Sequence, residues 1–245
     1  MPNHCTDVAI EAEFKQLVES AARPYLAAGR TPYYFARGKL GGDPVFAAML
    51  RQGLIDDGTR LTDLGCGQGV LLALLHATAQ SRAGTDWPPG WPPPPRHVTA
   101  YGVDVRRDAI EAAKMALGMA AHVDVGDIRD FELPPSDVVT ILDVLHYIDF
   151  NAQRRVLERV FAALETGGRL LLRVGDAAAG WRFDLTLAGD WLITLLRGHW
   201  QRRFFCRTAD QWLALLREIG FDASVQPMHQ GTPFANVLLI AHKYR

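Results

Sequence analysis

Apolar positions at Val8, Ala12, Leu17, Val18 and Ala21 recur at helical spacing and predict a helix from Asp7 toward Gly29, which Pro24 kinks or ends. The pattern lapses in TPYYFARGKLGGDPVF, where Gly41 and Gly42 predict a flexible turn. Asp43 then reads as an N-cap and Pro44 as the first position of a second helix running to about Gly53. Arg60 to Leu64 predicts a short strand and Val70 to Gln80 a strongly apolar helix, with a glycine-rich turn between them. Strand, glycine turn and helix in that order open a nucleotide-binding unit. The stretch SRAGTDWPPGWPPPPRH follows, and its six prolines exclude a helix interior or a central strand. It reads as a tolerated surface insertion of polyproline character.

Alternation then resumes. His97 to Val105 predicts a strand, Asp108 to Gly118 a helix opened by the capping pair Asp108 and Glu111, and His122 to Val125 a strand. Asp137 to Asp143 is a buried strand by its apolar run, Asn151 to Leu164 a helix stopped by Gly167 and Gly168, and Arg169 to Val174 a further strand. Residues 176–207 are rich in Trp, Phe, Leu and Arg and predict an inserted helical segment. Thr208 and Gln211 form a capping box, Gly220 stops that helix, and Ala223 to Gln226 and Asn236 to His242 predict two closing strands. Strands separated by helices require a parallel sheet. The expected fold class is α/β: a doubly wound, mainly parallel sheet of about seven strands, the last antiparallel. A single domain of 245 residues is expected, with an N-terminal helical lid (1–53), a core (59–175), a helical insert after the fifth strand (176–207) and a closing part (208–245).

Composition narrows the class. Hydrophobic residues at 49% and charged residues at 22% suit a packed globular domain. A formal net charge of -1 provides no global field for nucleic acid, which makes nucleic acid an unlikely partner. The three cysteines, Cys5, Cys66 and Cys206, lack metal-ligand spacing and read as free thiols of a reducing compartment, with the cytoplasm as the expected location. No run reaches the roughly 18 apolar residues of a membrane span, and the N-terminus lacks a signal-peptide pattern. No His, Cys, Asp or Glu group has metal-ligand spacing, so no metal is expected.

The chemistry centres on DLGCGQG, with Asp63, Gly65, Cys66, Gly67 and Gly69 between a strand and a helix. Glycines permit a tight turn and let a ligand approach bare amides, and the following helix supplies unpaired N–H groups. A dinucleotide fingerprint requires glycine three positions after Gly67, but Val70 stands there. An acidic residue two before the first glycine favours a ligand bearing a cation or amine over a pyrophosphate.

On this motif the chain resembles the class I S-adenosylmethionine-dependent methyltransferases. The resemblance extends in order through AYGVDV, VGDIRDF and ILDVLHYID, covering roughly residues 33 to 175. It implies that S-adenosylmethionine is the cofactor, that Asp104 accepts the ribose hydroxyls and that Val105 lines one face of the adenine. It further implies that Asp127 meets the adenine amino group, that the adjacent Ile128 offers its backbone N–H to the ring, and that Asp143, with Leu142, lies at the methyl-donor end of the fourth strand. Each acidic residue alone reads equally as a cap or a surface charge. Arg37 is the candidate for the methionine carboxylate, with Lys39 as competitor and a surface ion pair as the plain alternative. Tyr33, Tyr34 and Phe35 either wall a substrate pocket or pack the helices. His146 is the candidate general base, against a packing role.

The run RGHWQRRFFCR reads either as a dock for an acidic carrier protein or a phosphorylated substrate arm, or as an amphipathic cover over the core. YYFARGKL, LDVLHYID and GTPFANVLL are similar to small-molecule methyltransferases of polyketide-like and aryl polyene pigment pathways, which implies a free or acyl-carrier-bound phenolic acceptor. The expected reaction is methyl transfer to oxygen or activated carbon. An NAD-linked oxidoreductase, a non-catalytic cofactor-binding module and an RNA or protein methyltransferase remain the alternatives.

Overall fold

The computed structural model describes residues 4–81, 87–180, 204–233 and 235–244. Its seven strands have the order β3-β2-β1-β4-β5-β7-β6, mainly parallel with one antiparallel member. The chain divides into two compact units, Met1–Asp127 and Ile128–Arg245, each described by itself.

In the first unit, α1 (His4–Ala22) gives way to a 3-10 helix (Arg23–Ala28) carrying Pro24 in its first turn. The expected single helix therefore ends before Pro24, as the missing N–H dictates. The next helix, α2 (Arg30–Gly42), runs through the two glycines predicted to form a turn. One local feature favours the helix there: Lys39 pairs with Asp43 at 2.8 Å one turn on. Asp43 caps α3 (Pro44–Arg51), its carboxylate accepting from the Val45 N–H at 3.2 Å.

Strand β1 (Arg60–Leu64) leads through the glycine turn into α4 (Val70–Gln80), whose buried Leu71, Leu72, Leu74 and Leu75 explain its apolar character. Parallel β2 (Thr99–Asp104) and β3 (His122–Val125) extend the sheet, with Asp63 opposite Gly102 and Asp104 opposite Val125. Between β2 and β3, α5 spans Arg107–Leu117. The predicted capping pair is not formed: Arg106 holds the N-cap position, and Asp108 lies in the first turn. The Asp104 carboxylate, two residues upstream of Arg106, instead accepts the N–H of the N-cap residue itself.

The proline-rich stretch is docked where residues 87–97 are described. The Trp87 indole N–H donates to the Pro92 carbonyl, Trp91 meets Phe14 of α1, and Thr78 of α4 donates to the Pro95 carbonyl. Asp57 accepts the N–H groups of Arg96 and His97, both at 2.7 Å, and fixes the exit into β2.

The second unit holds β4 (Ser136–Leu142), a 3-10 helix (Leu145–Tyr147), α6 (Phe150–Ala163), β5 (Leu164–Gly175), α7 (Ala209–Ile219), β6 (Asp222–Pro227) and β7 (Asn236–His242). Asp149 caps α6 by accepting the Asn151 and Ala152 N–H groups. Gly167 and Gly168 do not stop this helix. They form a bulge inside β5, where the register with β4 jumps from Ser136–Leu164 to Val138–Arg169. A side chain at Gly168 would stand 2.8 Å from the Asp137 carbonyl, so the bulge needs glycine. Strand β7 runs antiparallel to both β5 and β6. The predicted capping box of Thr208 and Gln211 is formed, and α7 buries Trp212, Leu215 and Leu216. Most of the expected helical insert, including Arg197, Trp200, Arg202 and Arg203, lies outside the described residues.

Candidate functional site

The chain leaves β1 by turning across the end of β2. The N–H groups of Gly65 and Cys66 both donate to the Val103 carbonyl, at 2.8 and 3.0 Å, and the Gly69 N–H closes the turn on the Cys66 carbonyl at 2.9 Å. Gly65, Gly67 and Gly69 have φ of 78, 58 and 70°, the left-handed region that side chains strain. A Cβ on Gly69 would stand 2.9 Å from the Leu117 side chain. The close helix packing that a dinucleotide fold assigns to a later glycine is thus accomplished here by Gly69, against α5.

Asp104 ties this turn to the next strand. One carboxylate oxygen accepts the Gly67 N–H at 2.9 Å and the other accepts the Arg106 N–H at 2.8 Å. The Arg106 guanidinium lies beside the same carboxylate at 3.4 Å, and one of its nitrogens is 3.3 Å from where a Gly67 Cβ would be. The Gly126 N–H donates to the Asp104 carbonyl at 3.0 Å, bringing the end of β3, one residue before Asp127, to the same place. Carboxyl ends of three strands therefore converge with Asp63, Gly65, Cys66, Gly67 and Asp104 among them. Asp63 is 4% exposed and Asp104 8%, whereas Val105 presents 61% of its surface. Burial, reinforced by the charges of Asp63 and Asp104, pushes the Cys66 thiol well above its ordinary range. Cys66 is a packing residue of the turn rather than a nucleophile.

Arg37 stands apart from this convergence in its contacts. Its guanidinium pairs with Glu19 of α1 at 3.0 Å, and Tyr33 donates to the other oxygen of Glu19 at 2.8 Å. Tyr34 is exposed.

In the second unit, Asp143 follows β4 with φ of 60° and grips Arg173 of β5 through both carboxylate oxygens, the Nε bond measuring 2.8 Å. Arg173 is 1% exposed, so the pair neutralises a cation inside the sheet, and the Asp143 N–H also donates to the Arg173 carbonyl at 3.1 Å. His146 is buried, with its ring 4.0 Å from Tyr147 and 5.7 Å from Phe204 between centroids. Burial lowers its imidazole to about 4, leaving it neutral and weakly basic. Gln153 of α6, fully buried, donates to the carbonyls of Leu145, Ile148 and Phe205 and accepts from Arg207. It secures the chain at residues 204–207 beside His146, whose carbonyl accepts the Phe205 N–H at 2.9 Å. Ile128 begins this unit and is buried.

Sequence reasoning missed Tyr25, Arg106, Arg173 and Gln153. Only Arg173 carried a signal: a cation inside the apolar strand LLLRVG demands a carboxylate partner. Among the described residues no group of three or more His, Cys, Asp or Glu side chains could hold a metal, and no helix is long and apolar enough to cross a membrane.

Strand order, glycine turn and carboxylate staple define a fold that comparison with known proteins identifies. The chain belongs to the methyltransferase domain family, whose model matches residues 29–224. Its fold is the Rossmann-like methyltransferase fold shared with the solved structures below. Carboxy-S-adenosyl-L-methionine synthase of Chromohalobacter salexigens is 29% identical over 120 residues, 47% of this chain and 39% of that protein. This chain spans 39 to 48% of the length of the curated relatives it matches. Among solved structures, magnesium protoporphyrin IX methyltransferase of Synechocystis with bound SAH superposes with a TM-score of 0.56 at 17% identity, covering 81% of this chain and 80% of that one. A mitomycin 7-O-methyltransferase superposes at 0.59 and 20% identity, covering 97% and 71%.

Proposed function

We propose that the chain moves the methyl group of S-adenosylmethionine to an oxygen or activated ring carbon of a small organic acceptor, free or tethered to an acidic carrier protein. The observation that carries this reading is the turn at residues 65–69, where left-handed glycines leave bare backbone beside a buried acidic residue at a strand end. That donor set fits the cofactor: amides and glycine surface for its amino-acid and ribose parts, and a carboxylate for its ribose hydroxyls. Asp104 accepts one backbone N–H on each oxygen, with the Arg106 guanidinium also beside Oδ1, and Oδ2 retains a lone pair for a hydroxyl donor. Val105, exposed beside it, covers the adenine, with Asp127 and the Ile128 N–H reading the edge of the base. When bound, S-adenosylmethionine supplies a sulfonium-activated methyl group and leaves as S-adenosylhomocysteine.

Arg37 is assigned to the methionine carboxylate, for which it must exchange Glu19 for the ligand. Asp143, through its pair with the buried Arg173, fixes the start of the 143–149 segment in the second unit. His146 is a weak proton acceptor where burial leaves it, so the reading assigns most of the acceleration to positioning and exclusion of water.

The test is incubation with methyl-labelled S-adenosylmethionine and phenolic acceptors, free and carrier-linked, followed by mass spectrometry. Acceptor-dependent S-adenosylhomocysteine and a product heavier by one labelled methyl are expected. No labelled methyl on any acceptor and no acceptor-dependent S-adenosylhomocysteine would overturn this reading.

A further inference from the structure

We infer that Tyr25 is a positioning residue for the cofactor turn, holding the peptide between Gln68 and Gly69 in the one orientation that keeps the start of α4 open to a ligand. The inference rests on the cofactor reading above and concerns a residue outside the motif. Tyr25 sits in the 3-10 helix Arg23–Ala28, which packs on α1, α2 and α5, and it is fully buried. Its hydroxyl donates to the Gln68 carbonyl at 2.6 Å across 43 residues of sequence. Burial pushes the hydroxyl above its usual acidity range, so it remains a protonated donor.

The peptide unit that accepts this bond is gripped from its other side too, since the Gly69 N–H donates to the Cys66 carbonyl at 2.9 Å. Gly69 then serves as the N-cap of α4 with φ of 70°, and its carbonyl accepts the Ala73 N–H. Rotation about the two bonds flanking such a peptide turns it over with little displacement of its neighbours, and glycine tolerates either sign of φ. The freedom that lets this turn form is therefore also a route out of it. A flip would aim the Gln68 carbonyl away from Tyr25, break the bond to Cys66 and tilt the first N–H groups of α4, which lack intrahelical acceptors and are the ones available to a ligand. The phenol closes that route because it is anchored in a separate helical layer. Tyr25 touches the turn and not the ligand, so it acts on affinity through geometry.

Tyr25→Phe keeps the ring and removes only the hydroxyl. Calorimetry with S-adenosylhomocysteine should show affinity weakened roughly three- to tenfold, the worth of one net hydrogen bond. Amide hydrogen exchange without ligand should show the Gly69 N–H losing protection. Phe46→Leu, in buried α3, supplies a control for general loss of stability: its Gly69 protection and its affinity should remain within twofold of wild type once matched for thermal stability. Wild-type affinity together with wild-type Gly69 protection in Tyr25→Phe overturns the inference while the cofactor reading stands. A wild-type protein that binds no S-adenosylhomocysteine overturns both.

Discussion

Asp104 and His146 show how burial settles the role of a single side chain. Asp104 is an acid whose two oxygens are already organised by backbone N–H groups, so it is preoriented for further donors and needs no rearrangement to receive them. His146 is the opposite case. Its ring lies against Tyr147 and Phe204, and protonation inside that cluster is disfavoured. The unfolded chain takes up the imidazole proton near 6.5 and the folded chain only near 4, so between these values the unfolded state binds more protons. Stability from this residue is complete above the upper value and is lost as pH falls toward the lower one. Denaturant melts of wild type and His146→Phe at successive pH values should therefore diverge across that window by roughly 3 kcal/mol, the wild type losing more. Parallel curves would show that His146 is solvated.

At the scale of elements, the helices and strands do not all owe their places to local pattern. Strands β1, β3 and β7 and helix α4 have the bounds that local pattern predicts. Interactions distant in sequence decide the others. The register jump at Gly167 and Gly168 depends on β4, which a local window does not contain, while α2 runs through Gly41 and Gly42 where a turn is expected. Glycine is the common factor, since it permits a turn, a bulge or a close helix contact, and only the partner selects among them. The candidate site follows the same division: the motif residues at the ends of β1 and β2 are picked out by type and spacing, whereas Tyr25 and Gln153 are ordinary residues whose hydrogen bonds go to carbonyls elsewhere in the chain. Gln153 is the element-scale test. Gln153→Leu preserves volume but removes the side-chain donor to the Ile148 and Phe205 carbonyls and the acceptor of Arg207, and urea melts should register a loss of roughly 2–4 kcal/mol, with earlier proteolysis near residues 204–208. Unchanged melts and cleavage would mean that the 204–207 segment is held by other contacts.

Over the whole molecule, the family match across residues 29–224 includes elements of both compact units. A net charge of -1 leaves recognition to local features, and the described residues concentrate those at strand ends. The first unit brings together backbone amides, left-handed glycines and a stapled carboxylate. The second supplies a buried ion pair, a neutral imidazole and an aromatic cluster joined by one glutamine. The central claim is that S-adenosylmethionine and its demethylated product bind over the turn after β1. Amide hydrogen exchange with and without saturating S-adenosylhomocysteine tests it most directly. Slowed exchange concentrated at residues 65–71, 104–106 and 126–128 is the predicted result; unchanged exchange at residues 65–71, with or without protection elsewhere, would contradict it.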